Sequence, residues 1–168
     1  TSFLNLSSVR ITNSWGGLST GLGGVYGYGN SVVTDATNNM YVGGSFTQAG
    51  GLSVNNVARW NGTSWIPLGA STYKGVNLST ESNASVIYDL TVDNSGNLYV
   101  GGRFDQAGNF VETNYIAKWD GSVWSALGSG MGGVSPFVYA LASDNQNNIY
   151  AGGFFITAGG ISVNRIAR

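Results

Sequence analysis

The chain has 168 residues with eight acidic and seven basic side chains, which gives a formal net charge of −1. This balance offers no basic surface for nucleic acid, and no apolar run approaches the roughly 18 residues that a membrane span needs. The sequence contains neither Cys nor His, which removes disulfides, thiolate nucleophiles, the commonest general base and the usual zinc and copper ligand. We therefore predict no enzyme activity, no catalytic residue, no metal site and no cofactor.

One motif occurs three times along the chain, as NMYVGGSFTQAGG at residues 39–51, NLYVGGRFDQAGN at 97–109 and NIYAGGFFITAGG at 148–160. A Trp also recurs once per repeat, as Trp15, Trp65 and Trp124. Residues 1–59 align without a gap with residues 110–168, whereas the middle copy carries an insertion of eight residues after Trp65. The chain therefore holds about three units of roughly 50 residues each.

Each unit is predicted to form four short strands. The first is apolar, as in residues 138–144, and ends in a tight turn such as DNSGN at residues 93–97. The second is NLYVGGRF, and a Gly-rich connection separates it from the third, YIAKWDG. The fourth, SVWSALG, follows an Asp-Gly or Asn-Gly turn. No segment shows a helical period of apolar residues, so the protein is predicted to be all-β.

The pattern YVGGxFxxAG, followed by IAxWxG and a second Trp, resembles Kelch-type repeats and the repeats of the galactose-oxidase central domain. The resemblance implies a single β-propeller segment with about three four-stranded antiparallel blades and an incomplete ring. The expected parts are the end of a preceding blade at 1–23, blades at 24–69 and 84–128, and a partial blade at 136–168. Oxidases of this kind bind copper through His and a Cys-linked Tyr, so their catalytic site does not carry over to this chain.

Several repeated residues have both a structural and a functional interpretation. The paired glycines of each motif are expected to permit close blade packing rather than to hold phosphate, because no helix is predicted after them. Trp60 and Trp119 are expected in the core, with sugar stacking as the alternative. Asp35, Asp93 and Asp144 share one repeat position and are expected to form Asx turns, with calcium binding as the alternative.

The candidate binding residues lie in the connections from strand four to the next strand one and from strand two to strand three. In a propeller these connections share one rim, and here they are the longer and more variable ones. Variable loops on a rigid scaffold are a common place for ligand binding, although sequence drift is an equal alternative. The predicted ligand-binding residues are Tyr26, Tyr28, Tyr73, Lys74, Asp105, Glu112 and Phe137.

The expected partners follow from the number of units. Propellers close with four to eight blades, so further blades are expected from the same longer chain or from a second copy that exchanges its first strands. We favour the longer chain, because the sequence begins and ends in the middle of a unit. Low charge, many small polar residues and no Cys indicate an exported protein, extracellular or at a cell or particle surface.

Three functions remain open on the sequence alone. The first is a non-enzymatic binding or scaffold module with a glycan or protein ligand at the loop-rich rim. The second is a purely structural role in a larger ring, fibre or particle. The third is a hydrolase or lyase that uses Asp105 or Glu112, the carboxylates of one connection. No nucleic-acid partner and no membrane insertion are expected.

Overall fold

A computed structural model describes residues 16–69, 74–79, 85–109 and 111–168. These residues form twenty strands and no helix, which confirms the all-β prediction. Unit 1 contains β1 (Leu22–Gly23), β2 (Tyr28–Thr34), β3 (Met40–Ser45), β4 (Gln48–Ala49), β5 (Leu52–Ser53), β6 (Val57–Trp60) and β7 (Trp65–Pro67). Unit 2 contains β8 (Val76–Asn77), β9 (Val86–Val92), β10 (Leu98–Arg103), β11 (Gln106–Ala107), β12 (Val111–Glu112), β13 (Ile116–Trp119) and β14 (Trp124–Ala126). Unit 3 contains β15 (Met131–Gly132), β16 (Phe137–Ser143), β17 (Ile149–Phe154), β18 (Thr157–Ala158), β19 (Ile161–Ser162) and β20 (Ile166–Ala167).

Each unit contains one main sheet of antiparallel strands. The strand order is β2-β3-β6-β7 in unit 1, β9-β10-β13-β14 in unit 2 and β16-β17-β20 in unit 3. The hairpin turns lie at the predicted positions, since Asp93 N donates to Asn97 O over 3.0 Å and Asp120 N donates to Val123 O over 3.3 Å. The predicted order of four strands is thus confirmed in units 1 and 2, and unit 3 shows the first three.

A second, smaller sheet in each unit stands where the sequence predicts loops. Its orders are β1-β4-β5, β8-β11-β12 and β15-β18-β19, so the connection that leads into each main sheet pairs with the connection between its second and third strands. The two connections run side by side, and their backbone N–H and C=O groups bond each other because they need partners. Strands of two residues carry no period in the side chains, which is why the sequence pattern does not reveal them.

The main sheets pack face to face through their first two strands. Strand β9 contacts β2 and β3 of unit 1, and β16 contacts β9 and β10 of unit 2. The buried apolar residues form one core between units 1 and 2, which includes Val57 and Leu90, and another between units 2 and 3, which includes Ile116 and Leu141. A third cluster, which includes Phe46, lies within unit 1. Neighbouring units therefore bury one another's apolar faces.

The paired glycines have the packing role that the sequence predicts. A Cβ on Gly101 would lie 2.5 Å from Cγ1 of Val138 in the next unit, and Gly43 approaches β9 in the same way. A Cβ on the second glycine of the pair, Gly102, would collide with the carbonyl oxygen of Val86 beside a β-bulge. One glycine thus admits the neighbouring sheet, and the other admits the backbone of its own first strand.

Candidate functional site

An aromatic cluster joins units 2 and 3 along their first strands. Tyr88 of β9 lies 5.1 Å from Tyr139 of β16 and 6.5 Å from Phe137, between ring centroids, and Phe137 lies 6.0 Å from Tyr139. Both strands are edge strands of their main sheets, and Tyr139 is 53% exposed. We call the surface formed by Tyr28, Tyr88, Phe137 and Tyr139 the aromatic surface.

The period of the strands explains why these rings face outward. Successive side chains of a strand point to opposite faces, and Ile87 and Val138 are fully buried in the cores between units. Their neighbours Tyr88 and Tyr139 therefore point away from the core. In unit 1 the equivalent position holds Asn30, whose Nδ2 donates to the carbonyl oxygen of Ile87 over 2.8 Å, so the cluster is limited to units 2 and 3.

A second aromatic pair, which includes Tyr28, extends this surface in unit 1. The rings of Tyr26 and Tyr28 lie 6.4 Å apart at an interplanar angle of 60°, and both side chains are exposed. Tyr26 has a φ of 63°, a left-handed conformation that is uncommon for a bulky residue and that often occurs at binding sites. The turn is held by Gly27 N, which donates to Val25 O over 2.8 Å.

The surroundings of Tyr88 shift the pKa of its hydroxyl. Burial raises the pKa of the Tyr88 hydroxyl, and the hydroxyls of Tyr139 and Tyr28 raise it further, whereas Arg103 opposes the shift. The net effect is a pKa above the ordinary value of 10.0. A Tyr hydroxyl is already protonated at physiological pH, and the raised pKa keeps Tyr88 a hydrogen-bond donor into more alkaline solution. Because Tyr28 and Arg103 act electrostatically on the Tyr88 hydroxyl, both residues lie near the cluster.

Two of the predicted binding residues, Tyr28 and Phe137, belong to the aromatic surface, and Tyr26 lies beside it. Lys74 lies just before β8, and its carbonyl accepts a bond from Asn55 N over 2.6 Å. Glu112 lies on β12 of the smaller sheet, where it is exposed and pairs with Gln106. Tyr73 lies outside the described residues. The binding role of all seven remains a prediction.

Asp105 has a structural role in the smaller sheet. Its two carboxylate oxygens accept bonds from Ser79 N (2.7 Å) and Ser79 Oγ (2.5 Å). The equivalent contact in unit 1 runs from Val25 N to Thr47 Oγ1 over 3.2 Å. The Thr47 hydroxyl of unit 1 thus takes the place of the Asp105 carboxylate of unit 2. Either group holds the turn after β1 or β8, so this turn does not require an acid.

Tyr88 and Tyr139 are the residues of the surface that the sequence analysis does not identify. The sequence analysis looks for binding residues in the connections between strands, so it does not consider residues inside the first strands. A signal exists nonetheless, because the segments VIYDL and FVYAL place a Tyr at the same repeat position, one residue after a buried Ile87 or Val138. On an edge strand that alternation indicates an exposed Tyr.

The repeated aspartates form turns, as predicted. The Asp93 carboxylate accepts bonds from Ser95 N (2.9 Å), Asn97 N (2.9 Å), Asn97 Nδ2 (2.8 Å) and Tyr99 Oη (3.2 Å). Burial alone would raise the pKa of Asp93, but these bonds outweigh it and hold the pKa below the ordinary value. Asp35 and Asp144 make the same contacts in their units. Among the described residues no group of three His, Cys, Asp or Glu could hold a metal ion.

The repeated tryptophans pair within units 1 and 2. The rings of Trp119 and Trp124 lie 5.3 Å apart, and those of Trp60 and Trp65 lie 5.5 Å apart. Trp119, Trp124 and Trp65 are buried, whereas Trp60 is partly buried. The predicted core position is thus confirmed for Trp119, and sugar stacking on its face would require the core to open.

Comparisons with known proteins found no match to this chain, either among protein-family models, among curated proteins or among solved structures. Within the described ranges, no helix is long and apolar enough to cross a membrane.

Proposed function

We propose that the chain is a segment of a β-propeller that serves as a non-enzymatic binding module of an exported or surface protein, with a glycan as its ligand. The observation that carries the proposal is the cluster of the exposed Tyr139 with the half-buried Tyr88 and Phe137 on two packed edge strands. Successive antiparallel sheets that stack through their first strands, at the period of the sequence repeat, support the propeller architecture.

The chemistry of the aromatic surface suits a neutral sugar. Aromatic rings offer flat apolar faces to the C–H groups of a pyranose, and the Tyr hydroxyls supply hydrogen bonds at the ring edge. Strands hold these rings in place, so little side-chain entropy is lost on binding. The chain has few charged residues, which favours an uncharged ligand over an ionic one. A protein ligand at the same rings is an outcome that the test below separates.

Replacing Tyr139 with alanine is expected to weaken glycan binding by ~10-fold or more while leaving the melting temperature unchanged. The exposed ring contributes stacking area but is not part of a core. A glycan array identifies the sugar, and titration calorimetry with that sugar measures the loss. Tyr139→Phe should retain most of the affinity if stacking dominates.

A matched control is Tyr150→Ala, since Tyr150 is also partly exposed but lies on β17 with its hydroxyl bonded to Asp144. This variant should bind the sugar as the unaltered chain does. Binding that survives both Tyr139→Ala and Tyr88→Ala would place the site elsewhere. An array without any saturable glycan would refute the glycan proposal, and protein capture lost in Tyr139→Ala would replace the sugar with a protein ligand.

A second candidate function, assembly into a larger structure, is supported by the two outer faces of the stack. Ile166 of unit 3 is 67% exposed, whereas the equivalent Val57 and Ile116 are 0% and 2% exposed. On the other end, Val32 of unit 1 is 57% exposed, whereas the equivalent Leu90 and Leu141 are 3% and 8% exposed. Faces that are buried between units are thus open at both ends, and open apolar faces mark interaction surfaces.

Native mass spectrometry tests this second function. An assembling chain is expected to give a native mass that is a multiple of 17.5 kDa, the mass of one chain. Dilution should shift the distribution toward single chains, because association depends on concentration. A chain that remains single at every concentration would contradict assembly through its own copies.

A further inference from the structure

A cavity of about 290 Å³ opens at the end of unit 3. Apart from Arg168, its walls are apolar side chains and glycine backbone, and they include Leu127, Gly128, Met131, Ala151, Ala158 and Gly159. The cavity is bordered by the end of unit 2 and by both sheets of unit 3. It lies apart from the aromatic surface, and no step of the proposed glycan recognition uses it.

The equivalent space in the other two units holds an indole ring. A Cβ on Gly50 would lie 2.5 Å from Cδ1 of Trp65, and a Cβ on Gly108 would lie 2.7 Å from Cδ1 of Trp124. At the equivalent Gly159, a Cβ would meet no described atom within 4 Å. All three glycines have the same left-handed backbone, with φ between 54° and 59°. Unit 3 therefore presents the same seat for an indole, without a described ring in it.

The hydrogen-bond acceptor for that indole is also present. Trp65 Nε1 donates to the carbonyl oxygen of Leu18 over 3.0 Å, and Trp124 Nε1 donates to that of Leu68 over 3.0 Å. Each acceptor is the third residue after the preceding Trp of the repeat, in the pattern Trp-x-x-Leu. The next acceptor in this series is Leu127, which follows Trp124 by three residues and lines the cavity.

The Leu127 carbonyl has room for a second donor. Gly130 N donates to it over 3.0 Å, and in unit 1 Gly21 N donates to the Leu18 carbonyl over 3.0 Å. The Leu18 oxygen accepts the Trp65 indole in addition to this backbone bond. A carbonyl oxygen has two lone pairs, so the Leu127 oxygen would accept an indole N–H in the same way.

We propose that the cavity is a socket for Trp15 of a second copy of this chain. Trp15 begins the pattern Trp-x-x-Leu at Leu18, as Trp65 and Trp124 do at Leu68 and Leu127. Trp65 and Trp124 donate to the Leu18 and Leu68 carbonyls, so among the described residues the Leu127 carbonyl is the acceptor of this series that receives no described indole, and Trp15 is the remaining Trp of the pattern. A junction between two copies completes the series. This inference rests on the second proposed function, assembly.

The open faces beside the socket fit the same junction. Gly101 of unit 2 packs against Val138 and Leu141 of unit 3, whereas the nearest described atom to a Cβ on Gly152 is 4.0 Å away. The residue equivalent to Leu141 at the other end of the stack is the exposed Val32. If a second copy continues the stack, its Val32 would lie against Gly152 as Leu141 lies against Gly101, so the same junction would cover the exposed sheet face beside the socket.

The test uses two variants of the full chain and their mixture. Trp15→Ala removes the ring, and Ala158→Leu fills the socket from its wall. Native mass spectrometry should give twice 17.5 kDa for the unaltered chain and a dimer dissociation constant raised ~10-fold or more for each variant. Mixing the variants should restore a mixed dimer, because Trp15 of the Ala158→Leu copy meets the intact socket of the Trp15→Ala copy.

The outcomes separate the socket from assembly in general. Dimers that persist in both variants would overturn the socket and leave assembly standing, whereas an unaltered chain that never associates would overturn both. Failure of the mixture to recover a mixed dimer, with both variants folded by circular dichroism, would also overturn the socket. Ala158→Val replaces Ala158→Leu if the larger side chain prevents folding. Val123→Ala, an exposed site on a hairpin of unit 2, is the control that should leave the dimer unchanged.

Discussion

Replacing Trp124 with alanine is expected to lower the free energy of unfolding by about 3–5 kcal/mol. The indole is buried in the core between units 1 and 2, packs 5.3 Å from the Trp119 ring and donates to the Leu68 carbonyl. The variant would leave a cavity beside Gly108, because residue 108 has no side chain that could fill the space of the missing ring. Urea denaturation followed by far-UV circular dichroism measures the change.

Trp124→Phe separates the ring from its hydrogen bond. This variant keeps most of the buried area but leaves the Leu68 carbonyl without the indole donor, so a smaller loss of about 1–3 kcal/mol is expected. Val123→Ala is the control beside it, since Val123 is exposed and should change stability by no more than about 0.5 kcal/mol. A loss below about 1 kcal/mol for Trp124→Ala would show that the repeated Trp does not hold adjacent units together.

Valine at Gly101 is expected to destabilise the protein by about 1–3 kcal/mol, whereas valine at the equivalent Gly152 should be close to neutral. A Cβ at Gly101 would lie 2.5 Å from Val138 and 3.2 Å from Leu141, so units 2 and 3 would have to separate. At Gly152 the nearest described atom would be 4.0 Å away. Both positions lie in the second strand of a main sheet, where valine is otherwise favoured.

The pair of glycine variants is informative because the two sites occupy the same position of the sequence motif, on the equivalent strands β10 and β17, and differ in whether a neighbouring unit packs on them. Thermal unfolding of Gly101→Val and Gly152→Val in parallel cancels the intrinsic preference of a strand for valine over glycine. Equal losses at both positions would mean that the glycine is needed within its own sheet rather than for the approach of the next unit. A loss that appears at Gly152 only when copies associate would itself place a neighbour on that face.

The strands of the main sheets could be predicted because each carries a local signal. The segment from Leu98 to Arg103 joins β-branched and aromatic residues to a pair of glycines, and tight turns lie before it and after Asp120. Repetition strengthens the signal, since three copies agree on the same order. The smaller sheets could not be predicted in this way, because pairs such as Val76 with Ala107 depend on which connections run side by side.

The candidate site was predictable only in part for a related reason. Tyr28 and Phe137 lie at the starts of first strands, close enough to the connections to be found by loop variability. Tyr139 lies inside a strand, and its exposure follows from the position of β16 at the sheet edge, which local sequence does not encode. Asp105 was found by a charge that varies between copies, and the structure adds a contact that the sequence does not reveal, because its carboxylate also holds the turn after β8.

The bond from Trp65 to the Leu18 carbonyl limits where the chain can be divided. A fragment that begins at residue 24 keeps Trp65 but removes its acceptor, and it also removes β1, the pairing partner of β4. A fragment that begins at Gly16 keeps both. The structural unit therefore begins one connection earlier than the main sheet of each repeat. A duplicated segment that began at the main sheet would lack the carbonyl acceptor of its Trp and the strand that pairs with β4.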